Sequence, residues 1–236
     1  MLMLGGGRAL LMQVAHPIVA RGVVGHSSYA TEPWRRLART MTALYTIVLG
    51  TRKEADRAAA ITQAVHARVP GADDPGAQLW VHATLVDTGL VMYERFVGRL
   101  AEHDRVAFYD EMAVVAKLFG VPPAVLPPTL DDFRDYMRRV ELRVTDDARA
   151  VADVVLSPPA PLALQPAIRA LRPVTIGLLP AAIRELYGFH WSRVDRLALH
   201  AQARSVRTLL PATPRKLRGL EPERGIPLRL LHAFAR

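Results

Sequence analysis

The 236-residue sequence contains no cysteine. This absence excludes disulfide bonds, thiolate zinc sites, iron–sulfur clusters and a thiolate-ligated heme. Any protein ligand to a metal must therefore be an imidazole, carboxylate, hydroxyl or amine group. The sequence also lacks a run of about 18 apolar residues, so it predicts no membrane-spanning helix.

Aromatic residues are scarce, at 6% of the chain, and no alternating apolar runs bounded by hairpin turns are present. Hydrophobic residues nevertheless make up 50% of the sequence, which excludes a disordered chain. Apolar positions recur at helical spacing nearly throughout. We therefore predict an all-α fold, a single-domain multi-helix bundle. A chain of this size buries about 70–75% of its unfolded surface, enough to enclose a cavity.

Capping residues predict where the helices begin and end. A first helix is predicted over residues 7–20, kinked or ended by Pro17, followed by a small-residue loop over residues 22–30. Thr31 is the predicted N-cap of the next helix, which Gly50 ends. Later helices are predicted to start near Thr51, Asp74, Glu102, Thr129 and Thr145, with two or three more after the proline-rich segment 157–166.

Positive charge is concentrated at the C-terminal end. The net charge is +9, and residues 204–236 hold eight arginines and lysines against two glutamates. We divide the chain into a helical domain over residues 1–203 and a basic tail over residues 204–236. The tail is expected to be a solvated terminus that can contact an anionic membrane. Because the first residues of the sequence are apolar, we expect that a further helix precedes them. The absence of a signal-peptide cleavage pattern predicts a cytoplasmic chain.

Several catalytic motifs are absent. Gly5-Gly6-Gly7 is followed by Arg8-Ala9-Leu10 and matches neither a dinucleotide fingerprint nor a P-loop. No nucleophile elbow is present, no glutamate precedes a histidine by three residues, and no two histidines stand four apart. A hydrolase and a carboxylate-bridged di-iron enzyme are therefore disfavoured.

Three histidines lie in apolar helical stretches: His16, His66 and His82. A heme iron needs only one neutral imidazole nitrogen on a given face, so each of them is a candidate axial ligand. The alternative is a core histidine that donates a hydrogen bond to a backbone carbonyl. For any one histidine taken alone, that structural role is the more common one.

Two arginines enter an otherwise apolar helix. Arg36, Arg39 and Thr40 stand at i, i+3 and i+4, so they share one helix face. Heme propionates would supply counter-ions for the arginines, as would an internal carboxylate such as Asp87. The alternative is a pair of surface arginines whose stems lie along the protein. Spacing alone does not separate these interpretations.

Several segments, in this order, are similar to the shared catalytic domain of the rubber oxygenases. They are residues 6–17 (GGRALLMQVAHP), Arg36-x-x-Arg39-Thr40, His66-Ala67-Arg68-Val69 and residues 79–87 (LWVHATLVD), followed by weaker likeness at residues 119–123, 177–180 and 187–188. This family contains the latex-clearing proteins and MpaB, the oxygenase that shortens a farnesyl chain in mycophenolic acid synthesis. The likeness covers most of the chain before the basic tail.

The resemblance implies an all-α heme b protein whose bundle encloses a heme-sized apolar cavity and which uses dioxygen on an isoprenoid double bond. His66 matches the proximal iron ligand of the latex-clearing group. Arg36 and Thr40 match its distal Arg-x-x-Lys-Thr motif, but the lysine position holds Arg39. A guanidinium does not lose its proton, so Arg39 is expected to donate hydrogen bonds rather than bind iron. The glutamate proposed as a base in that group has no clear counterpart.

We therefore predict a heme b-dependent oxygenase for a hydrophobic, isoprenoid or lipid-like substrate, with dioxygen as co-substrate. His66 is the predicted iron ligand, and His82 is its main rival. His16 and His26 are reserve candidates for the distal pocket, and Arg36, Arg39 and Thr40 are the catalytic candidates. The alternative is a non-catalytic heme or lipid carrier of the same fold. No nucleic-acid partner is predicted, because no helix-turn-helix pattern is present and aromatics are not interleaved with cations.

Overall fold

The computed structural model of the protein describes residues 2–26, 31–209 and 211. Every regular element within them is helical, with eleven α-helices and two short 3₁₀ helices at Pro123–Val125 and Leu162–Leu164. The prediction of an all-α fold is confirmed. In chain order the α-helices are α1 (Leu2–Val14), α2 (Pro17–His26), α3 (Pro33–Leu49), α4 (Arg52–His66), α5 (Pro75–Phe96), α6 (Glu102–Leu118), α7 (Leu130–Arg139), α8 (Asp146–Leu156), α9 (Gln165–Gly177), α10 (Ala181–Tyr187) and α11 (Arg193–Leu209).

The N-terminal helix prediction is wrong in its boundaries. The segment predicted as one helix over residues 7–20 forms parts of α1 and α2, and Pro17 is the first residue of α2. Proline suits this position because the first helical N–H needs no intrahelical partner. The predicted loop from residue 22 is helical as far as His26, and residues 27–30 lie outside the described part of the chain.

Capping explains most of the other boundaries. At α4, Thr51 Oγ1 accepts a hydrogen bond from Glu54 N at 3.4 Å, and Glu54 Oε2 accepts one from Thr51 N at 2.8 Å. This reciprocal capping box confirms the predicted start of α4. Thr31 does not cap α3, whose N-cap position is Glu32, without a side-chain bond to the helix. Gly50 ends α3 as predicted.

Thr51→Ala is expected to lower the free energy of unfolding by about 1 kcal/mol, because the Glu54 N–H in the first turn of α4 loses the hydroxyl that caps it. Thr31→Ala is the matched control, and it should change stability by less than about 0.5 kcal/mol. Urea denaturation followed by circular dichroism measures both. Equal effects of the two substitutions would contradict the capping assignment.

Helix α1 lies at the centre of the bundle, packed against α2, α5, α8 and α9. Its glycines permit this close approach: a Cβ on Gly5 would lie 2.7 Å from Thr88 Cγ2, and one on Gly7 would lie 2.8 Å from Thr175 Oγ1. The triple glycine that matched no nucleotide-binding motif is therefore a packing surface.

Buried donors satisfy carbonyls in the last turns of α1. Trp80 Nε1 donates to Met12 O at 2.9 Å, and the Tyr187 hydroxyl donates to Leu11 O at 2.8 Å. These carbonyls lie among the last four of the helix, which have no intrahelical partner. The two bonds tie α5 and α10 to the central helix.

The predicted division of the chain between residues 203 and 204 falls inside α11, which continues to Leu209. The rest of the predicted basic tail, apart from residue 211, lies outside the described residues. Among the helices that the structure describes, none is long and apolar enough to cross a membrane.

Candidate functional site

Helices α3 and α4 form a hairpin that carries most of the predicted site residues. Arg39 and Thr40 are exposed on α3, and Arg36 is half-buried. Desolvation lowers the pKa of the Arg36 guanidinium, and the positive charge of Arg39 lowers it further. Arg36 has no ion-pair partner among the described residues. A partly desolvated cation of this kind favours an anionic ligand, such as a carboxylate.

His66 is the last residue of α4 and shares a helix face with Ala55 and Ala59. Both alanines are buried, so this face of α4 packs inward at those two positions. The His66 residue itself is exposed, yet the surrounding protein removes enough water to lower the pKa of its imidazole. Its ring makes no hydrogen bond to any part of the chain that the structure describes. His66 is therefore a neutral imidazole with a free lone pair.

His82 lies in the middle of α5 and is only 4% exposed. Neither ring nitrogen has a hydrogen-bond partner among the described residues. Burial lowers the pKa of His82 to about 4, so the ring is neutral at physiological pH. A buried polar group left unpaired costs about 1–3 kcal/mol, and such groups are rare in folded proteins. His82 is therefore a polar group whose presence packing alone does not explain.

His16 stands between α1 and α2, in a part of the bundle where Ile18 and Gly22 of α2 lie close to residues 69–71, just after α4. Its Nδ1 is buried without a hydrogen-bond partner in the described structure. Desolvation lowers the pKa of His16, and the charge of Asp74 partly opposes this. His26 ends α2, and its side chain lies outside what the structure describes.

One apolar cluster joins the three helices that carry the remaining candidates. Ile47 on α3, Ala59 on α4 and Ala83 on α5 belong to it, together with residues of α6. The structure thus brings the helices of the arginine pair, His66 and His82 to a common core. The described members of this cluster include no residue of α1 or α2, the helices that flank His16.

Sequence reasoning assigned no role to Arg8, which is the most connected polar residue of the core. It is 1% exposed, and its guanidinium donates to Asp87 Oδ2 at 2.5 Å, Thr88 Oγ1 at 2.5 Å and Leu178 O at 2.7 Å. Asp87, considered above as a counter-ion for the α3 arginines, is thus the partner of Arg8. A lone arginine inside the apolar sequence of α1 was the signal that could have identified it.

A closed cavity of heme size is not found among the described residues. The groove that they do form is half-open, has a volume of about 520 Å³ and runs between α5, α7 and α10. Trp80, Met137 and Ile183 line it, and none of the candidate histidines does. No group of three or more histidine, aspartate or glutamate side chains in the described chain is placed to hold a metal ion.

Comparison with known families decides the classification. Residues 1–208 match the family model described as the catalytic domain of the ER-bound oxygenase mpaB/B′ and rubber oxygenase. The chain belongs to this family. The resemblance seen in the sequence is thereby confirmed. No match was found among curated proteins or among solved structures.

Membership of the mpaB/rubber oxygenase family makes the chain an oxygenase-type catalytic domain, and so an oxidoreductase in general. The matched region extends into the last turn of α11 and contains all the candidate residues of the site. These are His16, Arg36, Arg39, Thr40, His66 and His82.

The donor chemistry of this family member fits a heme. A neutral imidazole can bind a heme iron, and cationic side chains can pair with the two propionates. His66 and His82 are both neutral and lack hydrogen-bond partners among the described residues, and Arg36 is a desolvated cation. The fit rests on these donors, because the described residues do not enclose a volume for the macrocycle.

Proposed function

We propose that the protein is a heme b-dependent oxygenase that acts with dioxygen on a hydrophobic, isoprenoid or lipid-like substrate. Family membership over residues 1–208 supports the oxygenase chemistry. The observation that carries the heme proposal is the His66 imidazole at the exposed end of α4, whose pKa is lowered by desolvation and whose ring has no hydrogen-bond partner in the described chain. When bound, heme supplies the redox chemistry with dioxygen, and the protein supplies binding and orientation.

His66 holds the iron in this proposal, because its lowered pKa keeps the imidazole unprotonated at neutral pH. His82, which is 4% exposed in the core, is the rival ligand. Arg36 binds a propionate, since a charge-assisted hydrogen bond strengthens where water is partly removed.

Arg39 and Thr40 would offer hydrogen-bond donors to dioxygen and to polar atoms of the substrate. The Arg39 guanidinium stays protonated, so it orients and polarises without binding the metal. The Thr40 hydroxyl can either donate or accept a hydrogen bond. Both side chains are exposed on the same face of α3 as Arg36, where a ligand can reach them.

The surface beside His66 suits an apolar substrate. Ile61 and Val65, in the last two turns of α4, are exposed. Exposed aliphatic groups next to a site offer contacts to a hydrocarbon chain without a polar group to desolvate. This supports a hydrophobic substrate and does not select one isoprenoid over another.

The absorption spectrum tests the iron ligand. Protein purified after expression with added heme precursor is expected to show a Soret band in the wild type and in His82→Ala, and to lose it in His66→Ala. Loss of the Soret band in His82→Ala but not in His66→Ala would identify His82 as the iron ligand instead. A wild-type protein without a Soret band under these conditions would refute the heme proposal.

Oxygen consumption separates an oxygenase from a heme or lipid carrier. The heme-loaded wild type is expected to consume dioxygen with at least one member of a panel of isoprenoids, and Arg39→Ala to consume it at least about tenfold more slowly. Arg52→Ala, on the exposed side of α4, is the matched control. A protein that retains heme yet consumes no oxygen with any member of the panel would instead be a carrier.

A further inference from the structure

Helix α11 is apolar on two sides, and only one of them is covered. Leu199 and Ala203 are buried against a cluster that contains Met92, Phe96 and Val174. On the outer side, at i, i+3 and i+7, stand the apolar residues Val194, Leu197 and Ala201. Val194 is 74% exposed and Leu197 is 70% exposed, well above the usual exposure of such side chains.

A stripe of positive charge runs along α11 beside this apolar stripe. Arg193, Arg196 and Arg204 are exposed, and none of them makes an ion pair or a side-chain hydrogen bond within the described structure. The only acidic residue of α11, Asp195, accepts hydrogen bonds from Ser192 at the helix start. The outer face of α11 is therefore both cationic and apolar, and it carries no acidic side chain.

We propose that this outer face of α11, defined by Val194, Leu197 and Ala201 together with Arg193, Arg196 and Arg204, is a docking surface for an anionic lipid bilayer. A helix that lies in a membrane interface needs both an apolar stripe that enters the acyl boundary and cations that meet the phosphate level. The sequence after α11 adds charge of the same sign, with six further arginines and lysines against two glutamates in residues 210–236. Charge complementarity thus selects an anionic surface.

The combination of the two stripes favours lipid over a nucleic acid. A nucleic acid would use the arginines and leave Val194 and Leu197 in water, because phosphate contacts gain nothing from aliphatic side chains. A bilayer uses both stripes, because it removes the aliphatic side chains from water while its phosphates meet the arginines. This inference does not depend on the heme or on the identity of the substrate.

Vesicle co-sedimentation of the full chain tests the proposal. Binding to vesicles of phosphatidylcholine with phosphatidylserine is expected, and it should weaken at high salt. Vesicles of phosphatidylcholine alone should bind at least about tenfold less protein. Val194→Ser with Leu197→Ser, and separately Arg193→Gln with Arg196→Gln and Arg204→Gln, should each weaken binding about tenfold or more.

Matched control variants test whether the loss of vesicle binding is specific to α11. Val106→Ser with Val114→Ser removes two exposed valines from α6, and Arg52→Gln with Lys53→Gln and Arg57→Gln removes the same charge from α4. Neither control should weaken binding more than about twofold. Equal losses in the controls, binding to neutral vesicles, or unchanged binding by both α11 variants would overturn the proposal. The proposal would also be overturned if the protein bound DNA in preference to vesicles and if Val194→Ser with Leu197→Ser left that DNA binding unchanged.

Discussion

Replacing Arg8 with methionine is expected to lower the free energy of unfolding by about 3–5 kcal/mol, the usual cost of breaking a buried ion pair on one side. Arg8 is 1% exposed and joins α1 to α5 and to the residue after α9. Without the guanidinium, the partly buried Asp87 side chain loses its counter-ion, and two other acceptors lose their donor. Urea denaturation followed by circular dichroism measures the loss.

Two further variants keep this expectation testable. Arg52→Met removes an exposed arginine whose Nε lies 3.9 Å from Asp56, and it should cost less than about 1 kcal/mol. Asp87→Asn should cost less than Arg8→Met, because the Asp87 side chain is 26% exposed and retains some hydration. A loss in Arg8→Met no larger than that in Arg52→Met would show that the Arg8 contacts do not stabilise the bundle.

Stability is expected to fall as the pH decreases from about 6.5 to about 4, and His82 should account for about 3 kcal/mol of the loss. Burial lowers the pKa of His82 to about 4 in the folded protein, whereas an unfolded histidine titrates near its ordinary value. Within this range the unfolded state binds more protons, so acid favours unfolding. The stability associated with the neutral His82 ring is fully present above the pKa of an unfolded histidine. It is lost as the pH falls from about 6.5 to about 4.

The matched variant is His82→Leu, measured in the heme-free protein across the same pH range. It should be at least as stable as the wild type at pH 7, because it removes two buried nitrogens that have no hydrogen-bond partner among the described residues. Its stability should also vary less with pH. Parallel profiles for wild type and His82→Leu would contradict the assignment.

Local signals in the sequence predicted much of the helical layout. Thr51, Asp74, Thr129 and Thr145 each cap a helix as expected, since an N-cap and the N–H it binds lie within three residues of each other. Pro17 was misread because a proline can end one helix or begin the next, and the sequence around it permits both.

For the candidate site, too, the sequence predicted local relationships but not the tertiary surroundings. Helical periodicity correctly put Arg36, Arg39 and Thr40 on one face, because residues three and four apart always meet on an α-helix. Periodicity did not reveal that Arg36 is desolvated while Arg39 is exposed, because this depends on how neighbouring helices pack around α3.

The order of short segments along the sequence was enough to determine the all-α class and the family, because both depend on composition, periodicity and local spacing. Only the tertiary structure decided what the interior residues contact. The partners of Arg8 lie 79, 80 and 170 residues away, and the surroundings that leave His82 without a hydrogen bond come from several helices. Contacts of such long range arise only when the helices pack together, so no local pattern encodes them.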